Sequence, residues 1–100
     1  MIVVNNPLFR LGQVVATPGA IEALQKASQV PFEFIARHSR GDWGQLSDDD
    51  RRLNDEALKD GSRILSAYTL STGEKIWVIT EAEDDQGQRS ATTILLPDEY

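Results

Sequence analysis

Cysteine is absent from the chain, which excludes disulfides, thiolate metal sites and cysteine nucleophiles together. Histidine occurs once, at position 38. That leaves no two-histidine metal spacing and limits any serine–histidine arrangement to His38. Aromatic residues are only 7% of the chain, a thin supply for a base-stacking platform. Long apolar runs are missing too: the longest are Met1 to Val4 and Ile76 to Ile79. A membrane-spanning helix needs about 20 such residues, so no membrane span is expected. No Gly-rich phosphate loop and no Gly-x-Ser-x-Gly segment occurs. The N-terminal residues show no charged stretch leading into an apolar core and a cleavage site, so the expected location is cytoplasmic. No cofactor and no metal site is expected.

What is present fits one α+β domain over residues 1–100. The mass is 11.1 kDa, with 40% hydrophobic and 26% charged residues. Such a chain buries about 65% of the surface it exposes when unfolded, enough for one core. Sixteen acidic and ten basic residues give a net charge of −6. The excess is uneven. Residues 1–46 carry four basic and three acidic groups, residues 47–60 three and six, and residues 61–100 three and seven. A negative protein is repelled by phosphate backbones, so direct nucleic-acid binding is disfavoured. The acidic excess serves solubility, or it meets a partner with a basic groove.

Local signals place the elements. Leu8 to Ala16 reads as an extended arm with Gly12 as a bulge, and Met1 to Val4 as a short edge strand or frayed tail. Thr17-Pro18 opens a first helix with Ala20, Ile21, Leu24, Ala27 and Ser28 as its apolar stripe. Pro31 opens a second, with Phe32, Ile35 and Ser39 along one side and Phe34 and His38 beside them; Gly41 stops it. Ser47 caps a third helix that ends at Gly61, with Leu53, Ala57 and Leu58 on its buried side. Beyond Gly61 the period becomes two. Arg63 to Leu70, Lys75 to Thr80 and Ala91 to Leu96 form a three-stranded antiparallel β-meander, with the first extended segment available as a fourth strand. The two strands apolar on both faces, Arg63 to Leu70 and Lys75 to Thr80, are expected to pair centrally, and Trp43 and Trp77 are expected in the core.

Three groups carry candidate chemistry. The first is acidic: Asp48, Asp49, Asp55 and Glu56 on the third helix, with Glu81, Glu83, Asp84 and Asp85 in the last hairpin, form a candidate partner-binding surface. The local reading is helix-dipole complementation at Asp48 to Asp50 and a solvated turn at residues 83–88. Asp48, Asp49 and Asp50 diverge by about 100° each on a helix, so they cannot converge on one cation. The second group is His38 with Arg37, Arg40 and Asp42. A histidine beside arginines suits acid–base work on a phosphodiester, and a histidine at a helix end also suits capping of the last carbonyls. The third is the tripeptide Arg40-Gly41-Asp42, familiar from adhesion motifs but too short to carry weight.

Several blocks occur in a telling order. They are Leu11-Gly12-Gln13-Val14-Val15-Ala16-Thr17-Pro18-Gly19-Ala20, then Gly41-Asp42-Trp43-Gly44 with Asp50 and Asn54, then Leu65-Ser66-Ala67-Tyr68. Trp77-Val78-Ile79-Thr80-Glu81-Ala82 and Arg89 to Tyr100 complete the set. In this order the chain resembles a family of small bacterial proteins, without an established activity, that is common on plasmids and integrative elements. The resemblance covers nearly all of the chain from Phe9. It implies a bacterial, mobile-DNA setting and transfers no catalytic residue. One departure is the longer Glu83 to Gln88 turn, where family members run almost directly from Thr-Glu-Ala to Arg-Ser.

Composition and resemblance together favour a non-catalytic accessory protein of mobile DNA elements that binds another protein. Its narrower form is an acidic DNA mimic directed at a defence or DNA-processing enzyme. Two alternatives stand beside it: a small RNA-cleaving or phosphoryl-transfer enzyme centred on His38, and a structural homodimer formed by pairing an open sheet edge.

Overall fold

The structure, a computed structural model, describes residues 6–100; the segment Met1 to Val4 lies outside them. Helix α1 (Pro18–Lys26) starts where the sequence signals it: the Thr17 hydroxyl accepts the Ala20 N–H at 3.1 Å. Its buried stripe is Ala20, Ala23 and Leu24, continued by Ala27. Ile21 and Ser28 are exposed instead. The helix ends at Lys26, and Ser28 beyond it turns the chain at φ +55°. Helix α2 (Pro31–Ser39) buries Phe34, Ile35, Ala36, His38 and Ser39. Phe32 is 44% exposed although it shares a side with the buried Ile35 and Ser39, and Phe34 meets the Tyr68 ring at 5.3 Å. Helix α3 (Asp48–Asp60) runs from the Ser47 cap to Gly61, whose φ of +80° ends it in a left-handed turn.

Strands β1 (Gln13–Ala16), β2 (Ile64–Thr69), β3 (Lys75–Thr80) and β4 (Ala91–Leu95) form one sheet in the order β1-β4-β3-β2. The β2-β3-β4 meander is antiparallel, as the short turns require. β1 joins as the fourth strand but lies parallel to β4, so the sheet is mixed. Three helices separate β1 from the meander, and that length of chain lets it return in the same direction. Gly12 precedes β1 at φ +64°, where a Cβ would sit 2.4 Å from the Arg89 carbonyl oxygen.

Insertion of β1 beside β4 makes β3 and β4 the central pair and puts β2 at an edge, contrary to expectation. That edge is covered. The Asn54 amide donates to the Leu65 carbonyl at 2.7 Å and its oxygen accepts the Leu65 N–H at 3.2 Å. Ala67 donates to the Trp43 carbonyl and accepts from Gln45. Gly44 crosses so close that a Cβ there would lie 1.9 Å from the Ala67 carbonyl oxygen. Edge-to-edge pairing is thus blocked at β2, leaving β1 as the sheet's other edge.

The sheet face under α1 and α2 is dry. Tyr68, Ile76, Val78 and Ile94 are buried there against Ala20, Leu24, Phe34 and Ile35, and Ile64, Ser66, Thr80 and Thr92 are buried at the other even-numbered positions. A smaller cluster of Trp43, Ala57 and Ile64, with Phe9, Leu46 and Leu58, seats α3 against the β2 edge. Trp43 is buried as expected, whereas Trp77, on the opposite sheet face, is only partly buried. Among the described residues no helix is long and apolar enough to cross a membrane.

Candidate functional site

The acidic residues divide into two groups along α3. Asn54 and Ala57 face inward, so helical geometry turns Asp48, Asp49, Asp55 and Glu56 outward, and all four are exposed. Cations interrupt the row: Arg52 approaches Asp49 at 3.6 Å, and Lys59 follows one turn from Glu56. Asp55 also has structural work, since its carboxylate accepts the Trp43 indole N–H at 3.1 Å.

The hairpin carboxylates meet the other end of the helix. Glu83 donates its N–H to the Gly61 carbonyl at 2.8 Å, and its carboxylate lies against Gly61. The buried Arg89 completes this junction by donating to the Ala57, Ser62 and Glu81 carbonyls at 3.1, 2.8 and 3.0 Å. A cation at the helix C-terminus is favourable against the dipole, and here it ties α3 to the hairpin. Glu81 and Glu83 therefore sit near Asp60, while Asp48 and Asp49 lie about 18 Å along the helix. Asp84 turns inward on its own loop, accepting the Gln86 and Gln88 N–H groups at 2.8 and 2.9 Å. Asp85 is exposed. Nothing in the sequence flagged Arg89 as the link; its signal is an arginine just before a strand, inside the Arg89 to Tyr100 block.

The residues of the alternative site do not converge on His38. Arg37 binds Asp42 at 2.7 Å and stacks over the Tyr68 ring. This hydrogen bond raises the Arg37 pKa and lowers that of Asp42. Arg40 lies exposed at the end of α2. His38 is 0% exposed. Its ring does not cap helix carbonyls; it reaches across to Ser66 Oγ at 2.6 Å from Nδ1 and Thr80 Oγ1 at 2.8 Å from Nε2.

Donor counting orients this network. Thr92 spends its hydroxyl hydrogen on the Leu11 carbonyl at 2.7 Å, so it must accept from Thr80 at 2.7 Å. Thr80 then accepts from Nε2–H of His38, and Nδ1 accepts from Ser66. Burial pushes the imidazole pKa down to about 3, helped by the positive charge of Arg89. At neutral pH His38 is an uncharged strut linking α2, β2, β3, β4 and the N-terminal arm. Phe9 and Trp43 close over its ring at centroid distances of 5.2 and 6.0 Å.

A further feature was not anticipated. A groove of about 520 Å³ opens between α3 and the outer sheet face, with Leu46 and Leu53 on one wall, Leu65, Ala67 and Trp77 as floor, and Pro97 opposite. Leu53, expected on the buried side of α3, is 61% exposed at its rim. Arg63, Lys75 and Asp50 supply its charges. The Arg63 guanidinium stacks on the Tyr100 ring at 5.2 Å, and Tyr100 meets Trp77 edge to face at 5.8 Å. The alternation of β3 held the signal: Lys75 and Trp77 share a face, so a lysine turned to solvent carries the tryptophan with it. Comparison of the chain with protein-family models, curated proteins and solved structures finds no match.

Proposed function

We propose that the chain is a non-catalytic accessory protein of mobile DNA elements that acts by binding another protein through its acidic side. The observation that carries this reading is the exposed row Asp48, Asp49, Asp55 and Glu56, joined at the helix end to the segment bearing Glu81, Glu83 and Asp85. Exposed carboxylates along one helix offer a basic groove a negative surface, and such complementarity governs encounter rate and partner choice. The narrower form, DNA mimicry towards a defence or DNA-processing enzyme, draws on the resemblance to proteins of plasmids and integrative elements. Burial of His38 and the Arg37–Asp42 pair weigh against chemistry centred on that histidine.

The test is native-salt capture on the tagged protein beside a fourfold neutral variant, Asp48→Asn, Asp49→Asn, Glu56→Gln and Asp85→Asn. The expected outcome is a specific bacterial protein retained by the wild type, lost by the variant and displaced by duplex DNA. Identical capture by both forms, or no displacement by DNA, overturns the acidic-surface reading and its mimic form respectively.

A further inference from the structure

The groove beside α3 sets two cations without ion-pair partners beside an apolar floor in a protein of net charge −6. Arg63 and Lys75 have no carboxylate within ion-pair distance among the described residues. Asp50, on the α3 wall, is the one acidic residue among the groove's lining residues. Arg63 directly precedes β2, and Lys75 pairs with Thr69 at the other end of that strand. Six residue steps along β2 separate the two rows, so their backbones stand about 20 Å apart along the groove. Between them lies Trp77, opposite Ala67 and beside Leu65. The volume falls within the range of about 300–1,000 Å³ that ligand-sized clefts occupy.

Backbone chemistry narrows the shape of an occupant. A strand cannot add to β2, because Asn54, Trp43 and Gln45 already hold its outer N–H and C=O groups. An extended peptide laid on the sheet face would leave its own backbone groups unpaired against Trp77 and Leu65. A helix satisfies its backbone internally and needs only an apolar stripe. About thirteen helical residues span 20 Å.

We infer that this groove docks an amphipathic helix of a partner protein, with apolar side chains at i, i+3 or i+4 and i+7 over Trp77 and Leu53, and carboxylates near each end facing Arg63 and Lys75. The inference rests on the reading that the protein works by binding other proteins, but it uses a different face from the acidic row. Tyr100 holds the Arg63 guanidinium in place by stacking, so this cation is positioned before the partner arrives.

The probe is a displayed library of random 18-residue peptides selected on the full chain, followed by fluorescence anisotropy of the consensus peptide. The selected sequences are expected to place Asp or Glu on both sides of a helical apolar stripe. Binding should weaken at least tenfold in Arg63→Glu/Lys75→Glu and in Leu53→Asp, all at exposed positions that leave folding intact. A peptide with its acids changed to lysine should regain affinity for the Arg63→Glu/Lys75→Glu form. The fourfold neutral variant of the acidic row should bind the consensus peptide as the wild type does. No enriched sequence, a consensus without acids, or affinity indifferent to the groove variants overturns the inference. Each of these outcomes leaves capture through the acidic row to be judged by its own experiment.

Discussion

The two faces of the sheet are built from the same strands, yet they do opposite things. Under α1 and α2, the even-numbered positions of β2, β3 and β4 are sealed, and even their polar side chains, Ser66, Thr80 and Thr92, are paired internally through His38. On the other face Ala67, Ile79 and Leu95 are buried, whereas Leu65, Trp77 and Thr93 remain partly open. The difference lies in what covers each face. Two helices close the first, whereas α3 lies at the β2 edge and a short turn at Pro97–Glu99 reaches only part of the second. A polar group on the sealed face needs a fixed partner, and a side chain on the open face keeps the choice of one.

That contrast can be broken most forcefully at His38. His38→Ala removes a fully buried ring and leaves the Ser66 and Thr80 hydroxyls without their partner, so a loss of about 4 kcal/mol is expected by urea unfolding. A loss below about 1 kcal/mol would mean that the sealed face does not depend on the network. Asn54→Ala tests the boundary between the faces. It strips both hydrogen bonds from Leu65 at the covered edge, and about 3 kcal/mol should be lost. Exposing that edge should also bring concentration-dependent association in light scattering.

A third test uses pH. The folded imidazole titrates at about 3 and the unfolded one at 6.5. Between these values the unfolded chain holds a proton that the folded chain refuses, so stability rises with pH and is lost as pH falls below 6.5. The expected loss from pH 7 to pH 5 is about 2 kcal/mol at about 1.4 kcal/mol per unit. The lowered carboxylates, Asp42, Asp60 and Glu99, have ordinary values of 3.8, 3.8 and 4.5 and add their losses below about pH 5. His38→Gln should flatten the slope; a slope unchanged in that variant would assign it to another group. The smallest effect belongs to the open face. Leu53→Ser alters a side chain 61% exposed, and its stability should change by less than about 0.5 kcal/mol. A larger loss would make the groove part of the core.

Much of this architecture was legible because it depends on neighbours in the chain. Thr17-Pro18 and Ser47 with Gly61 mark α1 and α3 through caps that act within three or four residues, and the period-two segments after Gly61 mark the meander. The acidic character of α3 and of residues 81–85 was equally plain. What failed depended on distant partners. Trp77 looks like a core residue by size; alternation with Lys75 sets its face, but how far that face is covered is decided by where α3 docks. His38 looks like a helix cap by position, but its ring is claimed by Ser66 and Thr80, 28 and 42 residues away.

By itself, then, the sequence determined the helix starts, the alternation of the strands, the absence of thiol chemistry and the negative charge, all of which follow from local geometry and composition. Only the tertiary structure decided that β1 runs parallel to β4, that β2 is an edge closed by Asn54, that Arg89 joins the two acidic segments, and that two cations flank an open tryptophan. Each of these is a contact between residues far apart in the chain, set by which surfaces pack together and not by any neighbouring residue.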